Sequence, residues 1–204
     1  MLNFTGGAAP LVSFRFAAPT LAVPQATLRP EVRGVASYRT QAEQGRLPVG
    51  SGFFIDGWSQ QLITAAHVVA PPAGAWLTSV QVEVRWAGHR RWLRACSVAY
   101  RRDWGRADVA VICLGAPIAG LSPAWQLATI DEPGIFSAML RGYPAMATES
   151  LHLVSVRAEL GDGYLVYVSG RGKPGMSGGP LEVDGMVVGA HKGSVLIHGV
   201  ERAC

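Results

Sequence analysis

The sequence predicts an all-β fold arranged as two six-stranded antiparallel β-barrels. Three observations carry that prediction. Short β-rich runs recur at regular spacing, and none shows an apolar stripe at i, i+3, i+4 and i+7. Glycine (25) and proline (13) are abundant, which suits short strands joined by tight turns. Hairpin-turn dipeptides stand between runs at Asp56-Gly57, Asp162-Gly163 and Asp184-Gly185. The length of 204 residues, at about 150 per domain, allows one domain or two small lobes.

The elements follow in order. Residues 1–33 hold Pro10, Pro19, Pro24 and Pro30 and keep no period, so they read as an arm that lies along the surface or frays. The first lobe, residues 34–120, contains GVASYRT (34–40), VGSGFFI (49–55), QLITAAHVV (61–69), WLTSVQVEVRW (76–86), RWLRACSVAY (91–100) and DVAVICL (108–114). All but the third and last alternate, at least in part, between apolar and polar or small residues, as half-buried strands do. GAPIAGLSP (115–123) is Gly/Pro-rich and joins the lobes near residue 120. The second lobe, residues 121–204, contains WQLATI (125–130), FSAMLRGYP (136–144), LHLVSVRAEL (151–160), GYLVYVSG (163–170), PLEV (180–183), MVVGAHKG (186–193) and SVLIHGV (194–200).

Hydrophobic residues at 49% and charged residues at 16% exclude a disordered chain. A chain this long buries roughly 70% of its unfolded surface and needs no covalent staple. Lys+Arg 18 against Asp+Glu 14 leaves +4, mildly basic. Seven arginines crowd between Arg85 and Arg106 with Asp103 the sole acid, a local +6. That run reads as a solvated hairpin face, and a nucleic-acid partner is not expected from it. Cys96, Cys113 and Cys204 form no C-x-x-C pattern and read as buried thiols without a disulfide, in a reducing, cytoplasmic compartment. No apolar run reaches the roughly 18 residues of a membrane span; Val109–Leu121 is broken by Gly115, Pro117 and Gly120. The first positive charge is Arg15, so no basic n-region of an export signal is present.

Three local sequences carry chemistry. In Gly175-Met176-Ser177-Gly178-Gly179-Pro180, glycines permit a sharp turn that exposes a serine, and the Gly175 and Ser177 N–H groups could form an oxyanion hole. In Thr64-Ala65-Ala66-His67, an apolar strand can hold the His67 imidazole rigidly, as a general base requires. His89, His152 and His198 lack such a setting and read as surface or packing residues. For the acid, Asp103 lies among arginines, whereas Asp108 opens the apolar run Val109–Leu114. A carboxylate at that core edge can be buried against an imidazole N–H.

In the order TAAH, D-V-A and G-x-S-G-G-P, these motifs resemble the trypsin-like (chymotrypsin-fold) serine endopeptidases, over roughly residues 35–200. Gly142-Tyr143-Pro144 looks like bacterial glutamyl-endopeptidase and HtrA-type members. The resemblance implies an active site in the cleft between the barrels. It implies Ser177 as nucleophile, His67 as base, Asp108 as its orienting acid, Gly175 and Ser177 as oxyanion donors, no metal or organic cofactor, and a protein or peptide substrate. Digestive members place an aspartate before the nucleophile to pair with a newly cut N-terminus. Met176 stands there, so that activation is not available. The family's usual C-terminal helix is also missing after the last run, as in compact viral and bacterial members or a truncated domain.

Arg171 falls at the position that lies at the base of the family's S1 pocket. Gly189-Ala190-His191-Lys192-Gly193 looks like the wall that meets a P1 Glu or Gln in glutamate-specific and viral 3C-like members. Those relatives often have Thr or Ser where Gly172 stands here. Arg171, Lys173, His191 and Lys192 together suit an anionic P1, so cleavage after Glu, and less readily Asp or Gln, is expected. An inactive binding module of the same fold and a self-processing structural protein are the alternatives; the oligomeric state is left open.

Overall fold

The computed structural model describes residues 31–39, 44–47, 49–86, 88–103, 107–121, 125–130, 133–145, 150–160, 165–197 and 200–203. The first half contains β1 (Glu31–Arg39), β2 (Gln44–Arg46), β3 (Gly50–Phe54), β4 (Gln61–Thr64), β5 (Trp76–Trp86), β6 (His89–Asp103) and β7 (Ala107–Leu114). They form one antiparallel sheet in the order β2-β1-β3-β4-β7-β6-β5. β1 also pairs with β5, from Glu31↔Arg85 to Arg39↔Trp76, which closes a six-stranded barrel and leaves β2 as an appendage. Closure removes the unpaired edges of an open sheet.

Alternation fills this barrel. Val80, Val82 and Val84 of β5 meet Ala110, Ile112 and Leu114 of β7 inside it, with Val32, Phe54 and Leu62. Each fully buried large aliphatic or aromatic side chain contributes roughly 1.5–3 kcal/mol. A second cluster (Ala138, Leu140, Val156, Ala158, Tyr167, Met176, Leu181) fills the other half. That half holds β8 (Ile135–Gly142), β9 (His152–Leu160), β10 (Leu165–Ser169), β11 (Pro180–Val183) and β12 (Met186–Ala190), ordered β10-β9-β8-β11-β12. β13 (Ser194–Ile197) and β14 (Val200–Ala203) form a separate hairpin that approaches β10.

β3 is buried along its whole length and joins the halves. Phe54 points into the first barrel, while Phe53 packs with Ile55, Trp125 and Val187. Its buried run makes the alternation expected for a half-buried strand disappear.

Four elements differ from expectation. The run 61–69 breaks after Thr64 into a 3-10 turn, Ala66–Val68, because Ala66, Val68 and Val69 all turn into the core. WQLATI contributes only the bridges Ile55↔Trp125 and Leu127↔Val187, since Trp125 serves as an anchor between the halves. β2, Gln44-Gly45-Arg46, has no apolar residue and so was invisible in the hydrophobic pattern. β1 begins at Glu31, inside the arm expected over 1–33, whose other residues up to 30 lie outside the described residues.

Candidate active site

The 3-10 turn after β4 carries His67, and β7 carries Asp108 next to it. Asp108 grips His67 at two points: Oδ1 accepts the His67 backbone N–H at 2.8 Å, and Oδ2 meets Nδ1 at 2.6 Å. The imidazole side chain is 26% exposed and the carboxylate 6%, so one ring edge faces solvent while the acid is covered. Burial pushes the Asp108 carboxyl up. The hydrogen bonds from His67 and the nearby charge of Lys192 outweigh it and hold the group below the usual carboxylate range. The Asp103 side chain lies outside the described residues.

The glycine-rich turn is built by backbone bonds. Met176 N–H donates to Lys173 O at 3.0 Å, Gly179 N–H to Met176 O at 2.9 Å, and Gly178 N–H to His191 O at 2.7 Å. His191 N–H returns to Gly179 O at 2.8 Å. The N–H groups of Gly175 and Ser177 take no hydrogen-bond partner among the described residues. Within the turn they are the two backbone donors that the described residues leave unused. The Ser177 hydroxyl likewise has none among the described residues.

Glycine is required twice here. Gly175 and Gly178 have φ of +94° and +83°. A Cβ on Gly178 would collide with Thr64 Oγ1 and Ser51 O and stand 2.7 Å from Ala65 N. The serine turn is therefore pressed against the end of β4, at the residue that starts the His67 turn. Ser51 stitches the two together. Its N–H donates to Ser177 O at 2.7 Å, its hydroxyl donates to Gly175 O at 2.9 Å, and that oxygen accepts Tyr143 N–H at 2.8 Å. Thr64 Oγ1 donates to Ser51 O at 2.6 Å. The bridging role of Ser51 escapes a reading of the sequence, where only Gly-Ser-Gly at 50–52 hints at close backbone approach; Thr64 and Tyr143 lie in motifs the sequence does single out, but their contacts to Ser51 do not show there.

Met176 is fully buried in the second core, and its sulfur accepts Lys173 N–H at 3.3 Å. Apolar packing thus occupies the place where digestive relatives carry an ion pair.

His191 is buried at 4% exposure. Its Nδ1 lies 3.2 Å from Tyr167 Oη and its ring stacks on that tyrosine at 5.6 Å. Nε2 faces Gly172, where a Cβ would collide with it. Arg171 is exposed, and Lys192 is half-buried with its charge acting on Asp108. Lys173 Nζ meets His152 Nδ1 at 3.3 Å. His89 packs its ring against Trp86, and His198 lies outside the described residues.

The arginine run is only partly a solvated face. Arg91, Arg94, Arg101 and Arg102 are exposed, but Arg85 and Arg90 turn onto the buried Glu83. Of the cysteines expected to be buried, Cys96 is exposed and Cys113 half-buried; both are free thiols, and Cys204 lies outside the described residues. Cys96 sits in the bulge between Ala95 and Ser97, which tips its thiol outward onto the Cys113 and Leu114 carbonyls. Among the described residues no helix is long and apolar enough to cross a membrane. Among the same residues, no group of three His, Cys, Asp or Glu side chains could hold a metal ion.

A family model for the trypsin-like peptidase domain matches residues 50–189. A solved structure of Rv3671c from M. tuberculosis H37Rv, an inactive form with a serine-to-alanine substitution, is 24% identical. It covers 83% of this chain and 78% of that one with a TM-score of 0.51. Deg5 is 21% identical, covering 79% of this chain and 78% of that one with a TM-score of 0.57. Both share this fold. Comparison with curated proteins gives no match.

Proposed function

Because this chain belongs to the trypsin-like peptidase family, we propose that it is a serine endopeptidase in which Ser177, His67 and Asp108 act together on a protein or peptide substrate. Ser177 Oγ attacks the scissile carbonyl carbon while His67 Nε2 takes its proton. The C–N bond breaks as that proton passes to the leaving amine, and water then releases the acyl group by the reverse path. Asp108 holds the imidazole with Nδ1 protonated and Nε2 open. The Gly175 and Ser177 N–H groups receive the oxyanion. The observation that carries this reading is the two-point grip of Asp108 on His67. A structural histidine needs no carboxylate on both its backbone and its ring.

The proposal extends to an acidic P1. A carboxylate entering the pocket leaves water, which is costly unless donors replace the lost shell. Tyr167 meets His191 Nδ1, and Nε2 faces Gly172, where a side chain would collide with the ring. Arg171 next to Gly172 supplies a planar fork of donors at the rim. Lys192 adds positive potential, though its charge also acts on Asp108.

Cleavage-site profiling on a peptide library, wild type against Ser177→Ala, tests both levels. Cuts after Glu, with Asp or Gln weaker, and none in Ser177→Ala support the proposal. His191→Ala should lower kcat/KM on a Glu substrate about 30- to 1000-fold and spare small neutral P1 residues more. An aliphatic, aromatic or basic P1 refutes the specificity, and equal activity in Ser177→Ala refutes the mechanism.

A further inference from the structure

Glu83 lies on the outer face of β5, where alternation would place it in solvent, yet it is fully buried. Three guanidinium groups surround it. Arg33 of β1 and Arg90 of β6 bond its carboxylate, and Arg85 of β5 reaches Oε1 through Nη2 at 3.2 Å. Arg33 also lies over the exposed Trp92 ring at 5.7 Å. Burial alone would push the Glu83 carboxyl up. The bonds and charges of Arg33 and Arg85 prevail and hold it below the usual range, so it is ionised at neutral pH.

The cluster does not end there. Tyr143, at the end of β8 in the other half, is 2% exposed, and two of the same guanidiniums rest on its ring: Arg85 at 5.4 Å and Arg33 at 6.0 Å from the centroid. Tyr143 N–H donates to Ser51 Oγ, and Ser51 Oγ donates to the Gly175 carbonyl. A continuous path thus runs from a buried ion cluster on the first barrel, through one ring and one hydroxyl, to the peptide plane that begins the serine turn. Met176, an apolar residue, stands before the serine, so that position supplies no charge to anchor the turn.

We propose that Glu83 is a positioning residue that sets the Gly175–Ser177 turn through Arg33 and Arg85, Tyr143 and Ser51. The carboxylate gathers the guanidiniums into a platform, the platform fixes the Tyr143 ring, and the Tyr143 amide fixes the Ser51 hydroxyl that pins Gly175 O. This rests on the reading of Ser177 as nucleophile and Gly175 as oxyanion donor. Without the charge, the arginines repel and spread, and the turn samples orientations in which its N–H groups miss the oxyanion.

The test compares Glu83→Gln, Tyr143→Leu and Tyr143→Phe with wild type by steady-state cleavage of one peptide and by amide hydrogen exchange over residues 175–179. Glu83→Gln and Tyr143→Leu should lower kcat about 10- to 100-fold with KM nearly unchanged, short of the ~10²–10³ lost when an oxyanion donor is removed outright. Exchange at the turn should accelerate in both. Tyr143→Phe keeps ring and amide and should restore both readouts. If Glu83→Gln does not fold, Arg85→Met, which takes one guanidinium off the Tyr143 ring, takes its place with the same two readouts expected. A lowered melting temperature with unchanged kcat and unchanged exchange overturns the proposal and leaves Glu83 merely structural. If the wild type cleaves nothing, the protease reading fails by itself and the exchange rates alone decide the positioning.

Discussion

Asp108→Asn isolates what the carboxylate does. The substitution keeps the shape of the side chain and removes one charge. One oxygen must still accept the His67 backbone N–H, now 2.8 Å from Oδ1. That amide can only donate, so it selects the orientation with the Asn carbonyl toward the backbone. The Asn NH₂ is then forced against Nδ1, at the 2.6 Å position of Oδ2. Nδ1 must accept, so the ring proton moves to Nε2, the atom that should receive the Ser177 proton. The reverse orientation sets NH₂ against N–H and loses a buried bond. Catalysis should therefore fall on the order of 10⁴ in kcat, through the wrong tautomer, with KM little changed. Stability should fall by no more than about 1–3 kcal/mol, because one charge-assisted bond becomes a neutral one. Steady-state kinetics and thermal melts on the same preparation separate the two. Retention of a tenth or more of wild-type kcat, or a collapse of the fold, would refute this reasoning.

Gly178→Ala should destabilise the protein by about 2–4 kcal/mol, since backbone strain at positive φ adds to collision with Thr64 and Ser51. Gly57→Ala, at φ +80° with nothing within 4 Å, should cost only about 1 kcal/mol; equal denaturation midpoints for the two would contradict the packing described. Asp108 and Glu83 are both held below their usual range, so each contributes stability that is present above the unfolded carboxylate pKa of about 4 and is lost as pH falls through the lowered folded value. Melting temperature should thus drop on acidification below about pH 4, and less steeply in Asp108→Asn; parallel curves would remove the carboxylate from that transition. Dithiothreitol should leave the melting temperature unchanged, because Cys96 and Cys113 are free thiols, and a clear drop would reveal a disulfide.

The candidate residues stood out in the sequence more than the contacts that surround them. His67, Asp108 and Ser177 announce themselves through short local contexts. The barrel was visible because Val80, Val82 and Val84 alternate with polar neighbours toward a common core. Long-range geometry was not. That Asp108 reaches both the amide and the ring of a residue far back in the chain depends on the β4–β7 pairing, Thr64↔Ala110, which no spacing rule contains. Ser51 looked like part of a strand because its three hydrogen bonds go to segments distant in sequence. Nothing in the sequence singles out Glu83, which alternates onto the outer face of β5 just before the arginine run read as solvated. Arg33 and Arg90 reach Glu83 from the neighbouring strands β1 and β6 once the barrel closes, and Tyr143 of the other half then covers Arg33 and Arg85. The strand expected through His67 failed because apolar residues on both sides of it demand a turn rather than a pleat.

The nucleophilic role of Ser177 is tested most directly by intact mass after treatment with a fluorophosphonate. A single adduct on the wild type, mapped to the peptide containing Ser177, absent in Ser177→Ala and strongly slowed in His67→Ala, is the predicted result. No adduct on folded wild type, or an adduct that persists in Ser177→Ala, would contradict it.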